Sequence, residues 1–352
     1  MLDTLRLLMS RQLKRSQLAQ TTSGFTLIEL MVAMVLAVLV ITPLLTFMNN
    51  ILDNDRKEQA KATSEQEIQS ALDYIAQDLE QAVYIYDADG LKYIYSNSST
   101  SGIKDQIPPV APAASCVNNP PTDICVPILV FWKRKFSQNA VPVLGSNVNN
   151  DTFVYSLIAY YLIQGNNPNG TWSKTARISR FEIQDGVTDP ANPTNANGTP
   201  NYITSPPPGF LPTPGFKLFD LTLTGQGLKE KMDHWQKDSP SYTVSLSNFI
   251  LVDYIDQTQN TTSPICTNVQ QVTGGFYACC PSNMQQILPP NLAGGFYACV
   301  DSSTNLAQIF IRGNALARLT TAPTVPTSSN SKSTYFPTAS VQIKGRGSLS
   351  NN

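Results

Sequence analysis

From Phe25 to Met48 the chain is apolar on every side, and Glu29 is the only charge in those 24 residues. At about 1.5 Å per residue, a helix of that length crosses a hydrocarbon core of about 30 Å. Asn49 to Lys61 is polar and charged, after which Ile68, Leu72, Ile75, Leu79, Ala82 and Val83 recur at three- and four-residue steps. That spacing is one stripe of an amphipathic helix. No glycine interrupts residues 25–89, and Gly90 is a natural stop. The pattern predicts a single helix of about 60 residues, all-round apolar in its first half and one-faced in its second. Pro43 is expected to kink it, because the ring removes a backbone donor.

Beyond the helix the period changes. Residues 87–127 are rich in Ser, Asn, Pro and Gly and read as an extended loop. Strand signals, rich in aromatic and β-branched residues, begin at Ile128–Trp132 and recur at Phe153–Ile163, Ala176–Ile183, Phe216–Leu223, Tyr242–Asp253, Gln308–Arg312 and Ala339–Lys344. Loops rather than helical crossovers separate them, which predicts antiparallel sheet and the α+β class. Residues 186–215 form a Pro, Asn and Gly tract expected to be an exposed excursion, and Thr320–Thr334 is again loop-like. Leu228–Gln236 reads as a short helix carrying His234, the only histidine.

Gly24 closes a basic leader, and Phe25-Thr26-Leu27-Ile28-Glu29 opens the apolar run. An ordinary secretory signal discards its apolar region, because the cleavage site follows it. Here the candidate scissile bond, Gly24–Phe25, precedes that region, so cleavage leaves the anchor on the mature chain. The segment Gly24 to Glu29 resembles the hallmark of the type IV pilin-like proteins, a family of pilins, competence pilins and type II secretion pseudopilins. The resemblance implies a prepilin peptidase that cuts after Gly24 and methylates the new amino terminus of Phe25. It also implies that Glu29 pairs with the Phe25 ammonium of a neighbouring subunit during assembly. A carboxylate within a bilayer costs about 2.5 to 3.5 kcal/mol, so a partner that relieves it has a physical reason to exist. The implied fold is a pilin-like spine helix packed on an antiparallel head. Its expected boundaries are a leader at 1–24, a transmembrane half at 25–48, an amphipathic half at 49–89 and a head at 90–352.

Charge then orients the chain. The leader holds Arg6, Arg11, Lys14 and Arg15 against Asp3, so the first helix is expected to keep its amino-terminal side in the cytoplasm and its head in a bacterial periplasm. The whole chain has net charge −1, and without the leader it stands near −4. Only 14% of residues are charged, against a typical figure of about 25%. That balance argues against a nucleic-acid partner, which wants a basic face. All six cysteines, Cys116, Cys125, Cys266, Cys279, Cys280 and Cys299, fall in the exported part and read as disulfides. Fifteen full pairings are open, with Cys116–Cys125 the first expectation from proximity. No pair of CxxC knuckles is present, so neither a metal nor a cofactor is expected. Asp87-Ala88-Asp89-Gly90 faintly echoes a calcium loop, and major pseudopilins bind calcium; the full spacing is absent, and the stretch reads as a solvated turn.

Gly274-Gly275-Phe276-Tyr277-Ala278-Cys279 returns as Gly294-Gly295-Phe296-Tyr297-Ala298-Cys299. Two readings stand: hairpin corners that bury their aromatics, or a disulfide-tied knob that displays Tyr277 and Tyr297 to a partner. GxSxG, HExxH and GxxxxGK[ST] motifs are absent, so the expectation is no enzyme. Tyr160-Tyr161-Leu162-Ile163, Ser179-Arg180-Phe181-Glu182 and Ile311-Arg312-Gly313-Asn314-Ala315 are similar to stretches of PilW-like, J-type minor pilins, nearest the hormogonium polysaccharide secretion pseudopilins of filamentous cyanobacteria. The resemblance implies a minor pseudopilin near a filament tip that helps initiate assembly. Its implied partners are prepilin peptidase, other major and minor pilins or pseudopilins, and an inner-membrane platform protein with an assembly ATPase in trans. The alternative expectation is a tip adhesin or glycan-binding module delivered by a pilin helix.

Overall fold

The computed structural model describes residues 24–349 apart from 99, 109–123, 144, 146–147, 165–170, 205–209, 224–226, 239–241, 243–248, 259–279, 290–294, 321–324 and 348. The chain divides into two compact units between Arg56 and Lys57. Helix α1, Leu27–Glu80, begins in the first unit. There its apolar side chains are exposed on every side, Leu27 at 87% and Leu39 at 65% among them, so this stretch has no core of its own to bury them. The hydroxyl of Thr42 donates to Val38 O (2.8 Å) and that of Thr46 to Thr42 O (3.0 Å), so both polar side chains are satisfied without water. The helix runs through Pro43, whose ring removes the donor that Leu39 O would otherwise receive.

In the second unit α1 buries Ala60, Ser64, Ile68, Ala71, Leu72, Ile75, Asp78 and Leu79, the expected stripe. The helix stops at Glu80, not at 89. Ala82 and Val83 continue the helical spacing, but every residue of strand β1, Ala82–Ile85, is buried. Burial on both sides of the chain suits a strand, and β1 pairs antiparallel with β2, Ile124–Pro142. Strand β3, Asn149–Gln164, pairs with β2, and β4, Ala176–Gln184, joins β3 to β5, Ile250–Ile255. Among the described residues this sheet has the order β1-β2-β3-β4-β5. A second sheet has the order β6-β7-β8-β9: Gln285–Ile287, Phe296–Asp301, Leu306–Arg312 and Thr338–Lys344. Neighbours in both sheets are antiparallel, and the α+β expectation holds.

Several boundaries differ from the sequence reading. Strand β2 starts four residues earlier than Ile128 and runs ten beyond Trp132, because Lys133 and Lys135 meet acidic partners, Asp78 on α1 and Glu182 on the sheet, instead of ending the strand. Phe216–Leu223 is not a strand. Phe216 and Phe219 instead lie edge-on to Trp132, with ring centroids 5.8 and 5.1 Å away, burying aromatic surface without backbone pairing. Only the end of the Tyr242–Asp253 segment is β5, and residues 243–248 lie outside the description. Asp87 is buried, not solvated. It caps the short helix α2, Ala88–Lys92, by accepting from Gly90 N, and its carboxylate also takes Lys229 Nζ (2.8 Å) and Ser302 Oγ (3.0 Å). Those bonds explain the acidic stretch without an ion. His234 caps the C-terminus of α3, Leu228–Asp233, and is half-buried.

The core gathers around Trp132, whose Nε1 donates to Tyr86 Oη (3.1 Å); Tyr86 in turn donates to Met232 O (3.1 Å). One ion-pair cluster lies between α1 and the first sheet. Asp78 accepts Lys133 Nζ (2.6 Å) on one oxygen and both Arg180 Nε (2.8 Å) and Tyr160 Oη (2.6 Å) on the other. Arg180 then reaches Glu182 (2.7 Å), which also takes Lys135 (2.9 Å). Burial pushes the Asp78 carboxyl up, but the hydrogen bonds and charge of Arg180 and Lys133 outweigh it and hold it below its ordinary value.

Candidate functional site

The candidate site is the amino-terminal end of α1. Thr26 precedes the first helical residue, and its side chain closes a reciprocal cap with Glu29. Thr26 Oγ1 accepts from Glu29 N (3.3 Å), while Glu29 Oε2 accepts from Thr26 N (3.2 Å) and from the Thr26 hydroxyl (3.1 Å). This is the capping-box arrangement, in which two otherwise unmet N–H groups are satisfied by the two side chains. The carboxylate also lies where the helix dipole is positive. Thr26 was not among the expected site residues, although Thr-Leu-Ile-Glu carries the S/T-x-x-E signature of such a box.

Gly24 and Phe25 thus lie just before the cap, and Glu29 lies in the first turn of α1. Phe25 is 84% exposed, so none of the described residues covers its ring. Around Gly24 a Cβ would meet nothing within 4 Å, and its φ lies outside the left-handed region. Neither packing nor backbone conformation within the chain demands glycine there. Past this turn α1 is long and apolar enough to cross a membrane, judged by length and composition.

The cysteine and repeat residues are elsewhere, in the second unit. Cys280 is bonded to Cys299, on β7. Cys125 is also disulfide-bonded; Cys116, Cys266 and Cys279, and with them the expected Cys116–Cys125 pair, lie outside the described residues. Tyr277 lies outside them too. Tyr297 is a correction to the displayed-knob expectation: it is 3% exposed in β7 and stacks on Phe310 at 4.6 Å between centroids. The second copy of the repeat is thus a buried inner strand. Its glycine has a use, since a Cβ on Gly295 would stand 1.8 Å from Asp256 O. Among the described residues no group of three or more His, Cys, Asp or Glu is placed to hold a metal.

With this geometry in view, one comparison is informative. Residues 20–45 match the family model described as the prokaryotic N-terminal methylation motif. No curated protein and no solved structure matches the chain. The motif supports a type IV pilin-like protein, a class processed by prepilin peptidase and assembled with other pilins. Together with the one apolar N-terminal helix, it fits membrane anchoring and pilus assembly.

Proposed function

We propose that this chain is a minor pseudopilin, a structural and assembly-priming subunit of a type IV pilus or type II secretion-like pseudopilus that serves polysaccharide secretion and gliding motility. The observation that carries the reading is Gly24, a glycine the fold does not require, set directly before an exposed Phe25 and a capped apolar helix. The match of residues 20–45 to the prokaryotic N-terminal methylation motif supports the same reading, with Gly24 as the residue before the peptidase's cut. Glu29 spends Oε2 on its own helix, so Oε1 is the oxygen offered to the ammonium of a neighbour. The head faces the periplasm, and the subunit sits at or near the tip. Motion and force come from the platform protein and ATPase in trans.

The test is intact-mass and N-terminal peptide analysis of the protein from the membranes of its host. A chain beginning at methylated Phe25 is the expected result. An intact leader, or cleavage beyond the apolar run, removes the assignment. The adhesin reading loses one of its two named contacts, because Tyr297 is buried.

A further inference from the structure

A groove of ≈ 780 Å³ runs along the second unit between α1 and the edge strand β5. Its size is that of an ordinary small-ligand site, about 300–1,000 Å³. Tyr74 from α1 and Trp172 from the loop before β4 line it with partly exposed rings, 43% and 36% accessible. The other two tryptophans, Trp132 and Trp235, are core residues. Arg180, anchored on Asp78, lies 5.7 Å from the Tyr74 ring centroid.

The charged groups in the groove are already engaged. Arg318 is ion-paired with Glu67 and lies 4.0 Å over the Tyr254 ring. Both oxygens of Asp253 are taken, by Ser173 N and Oγ (each 2.7 Å) and by Tyr254 N (2.8 Å). Tyr254 itself holds φ +58, a left-handed backbone costly for a bulky residue, and its carbonyl accepts Asn314 N (2.7 Å). Strain of this kind gathers at ligand sites, where the surrounding structure over-determines it. The exposed neutral groups that can meet a ligand are chiefly Gln66 and Thr171, with Ser70, whose hydroxyl donates to Gln66 O (2.8 Å), able to accept.

We propose that this groove binds an uncharged oligosaccharide. A pyranose ring has an apolar C–H face, which packs on an aromatic plane, and a rim of hydroxyls that both donate and accept. Tyr74 and Trp172 supply two planes, and the amide and hydroxyl groups supply the rim partners. A free anion finds no unpaired cation here, since Arg318 is held by Glu67. The groove is independent of the pilin reading, which rests on residues 24–29, so either can fail alone.

The experiment uses the full chain in detergent with cellotetraose, maltotetraose, chitotetraose and, as a charged control, an oligogalacturonate. Trp172 is the exposed tryptophan, so binding is expected to shift tryptophan emission saturably. Calorimetry should show affinity falling about tenfold or more in Tyr74→Ala and Trp172→Ala. Ser70→Trp, which fills the groove from an exposed helical position, should abolish binding with the thermal unfolding midpoint unchanged. No saturable signal with any neutral tetrasaccharide at millimolar concentration overturns the proposal. So does binding that survives Ser70→Trp, or preference for the oligogalacturonate.

Discussion

Arg180 Nε meets Asp78 Oδ2 at 2.8 Å, joining a helix residue to a strand residue 102 positions later. Lys133 holds the other oxygen, so one carboxylate on α1 is ion-paired with two cations of the sheet. Removing one partner of a buried pair leaves the other charge uncompensated, at a cost of about 3–5 kcal/mol. Asp78→Ala should therefore destabilise the second unit by that order in chemical denaturation of the full chain. A loss under about 1 kcal/mol would mean that the cluster is screened as a surface pair is.

Gly295 and Asp256 give a second prediction. A Cβ at Gly295 would overlap a backbone carbonyl at 1.8 Å, and backbone yields less readily than a flexible side chain. Gly295→Ala should unfold the second sheet or displace it from Asp256, whose amide bonds Arg312 O (2.9 Å). Hydrogen exchange of β7 and β8 amides is the measurement; protection equal to wild type would refute the close approach. Gly24→Ala, by contrast, should leave thermal stability unchanged, since its Cβ meets nothing.

Asp233 sets a pH dependence. Burial pushes its carboxyl up to about 6; Lys229 opposes this, while Asp87 and Asp89 reinforce it. A folded value above the unfolded one means the folded state holds the extra proton. Stability from this group is therefore full below the ordinary value of 3.8 and is lost as pH rises through about 6. The displacement corresponds to on the order of 2–3 kcal/mol. Burial raises Asp185 in the same sense. Asp78 and Glu182 act oppositely: both are held below their ordinary values, 3.8 and 4.5, so their contribution is present above those values and disappears as pH falls beneath them. Stability should peak between roughly pH 4 and 6. In Asp233→Asn the rise on going from pH 7 to 5 should flatten, and an unchanged profile would exclude Asp233 as its source.

The parts readable from sequence were those whose cause is local. The apolar run, the Gly24–Glu29 junction and the Ile68–Leu79 stripe depend on neighbours within a turn or two. Where the cause is a distant partner, the reading failed. Ala82 and Val83 complete a helical spacing until β2, whose paired residues Phe131 to Lys133 lie far along the chain, takes this segment as a strand. Phe296 to Asp301 left two readings open, a displayed knob or aromatics buried at hairpin corners, because both faces of the strand are buried and no alternation marks an outer side. Asp78 resembled any acid on a polar helical face until Lys133 and Arg180 were brought to it by folding. Cys280–Cys299 was one of many open pairings, and only the approach of residue 280 to β7 selects it.

Thr26 and Glu29 allow the cap and the charge to be separated. Glu29→Gln keeps a residue able to accept from Thr26 N and so preserves the box, but removes the negative charge. Thr26→Val keeps the charge and removes the hydroxyl, a change that costs a helix start about 1 kcal/mol. If Glu29 serves only to begin α1, Glu29→Gln should be silent and Thr26→Val should impair assembly. If its charge recruits the Phe25 ammonium of a neighbour, the order reverses: both variants are cleaved and methylated, but Glu29→Gln incorporates poorly into filaments and Thr26→Val nearly as well as wild type. The second order is the expected one, because an uncompensated carboxylate in a bilayer costs more than a missing cap. Counting labelled subunits per filament, with N-terminal mass analysis to show that cleavage still occurs, decides between them.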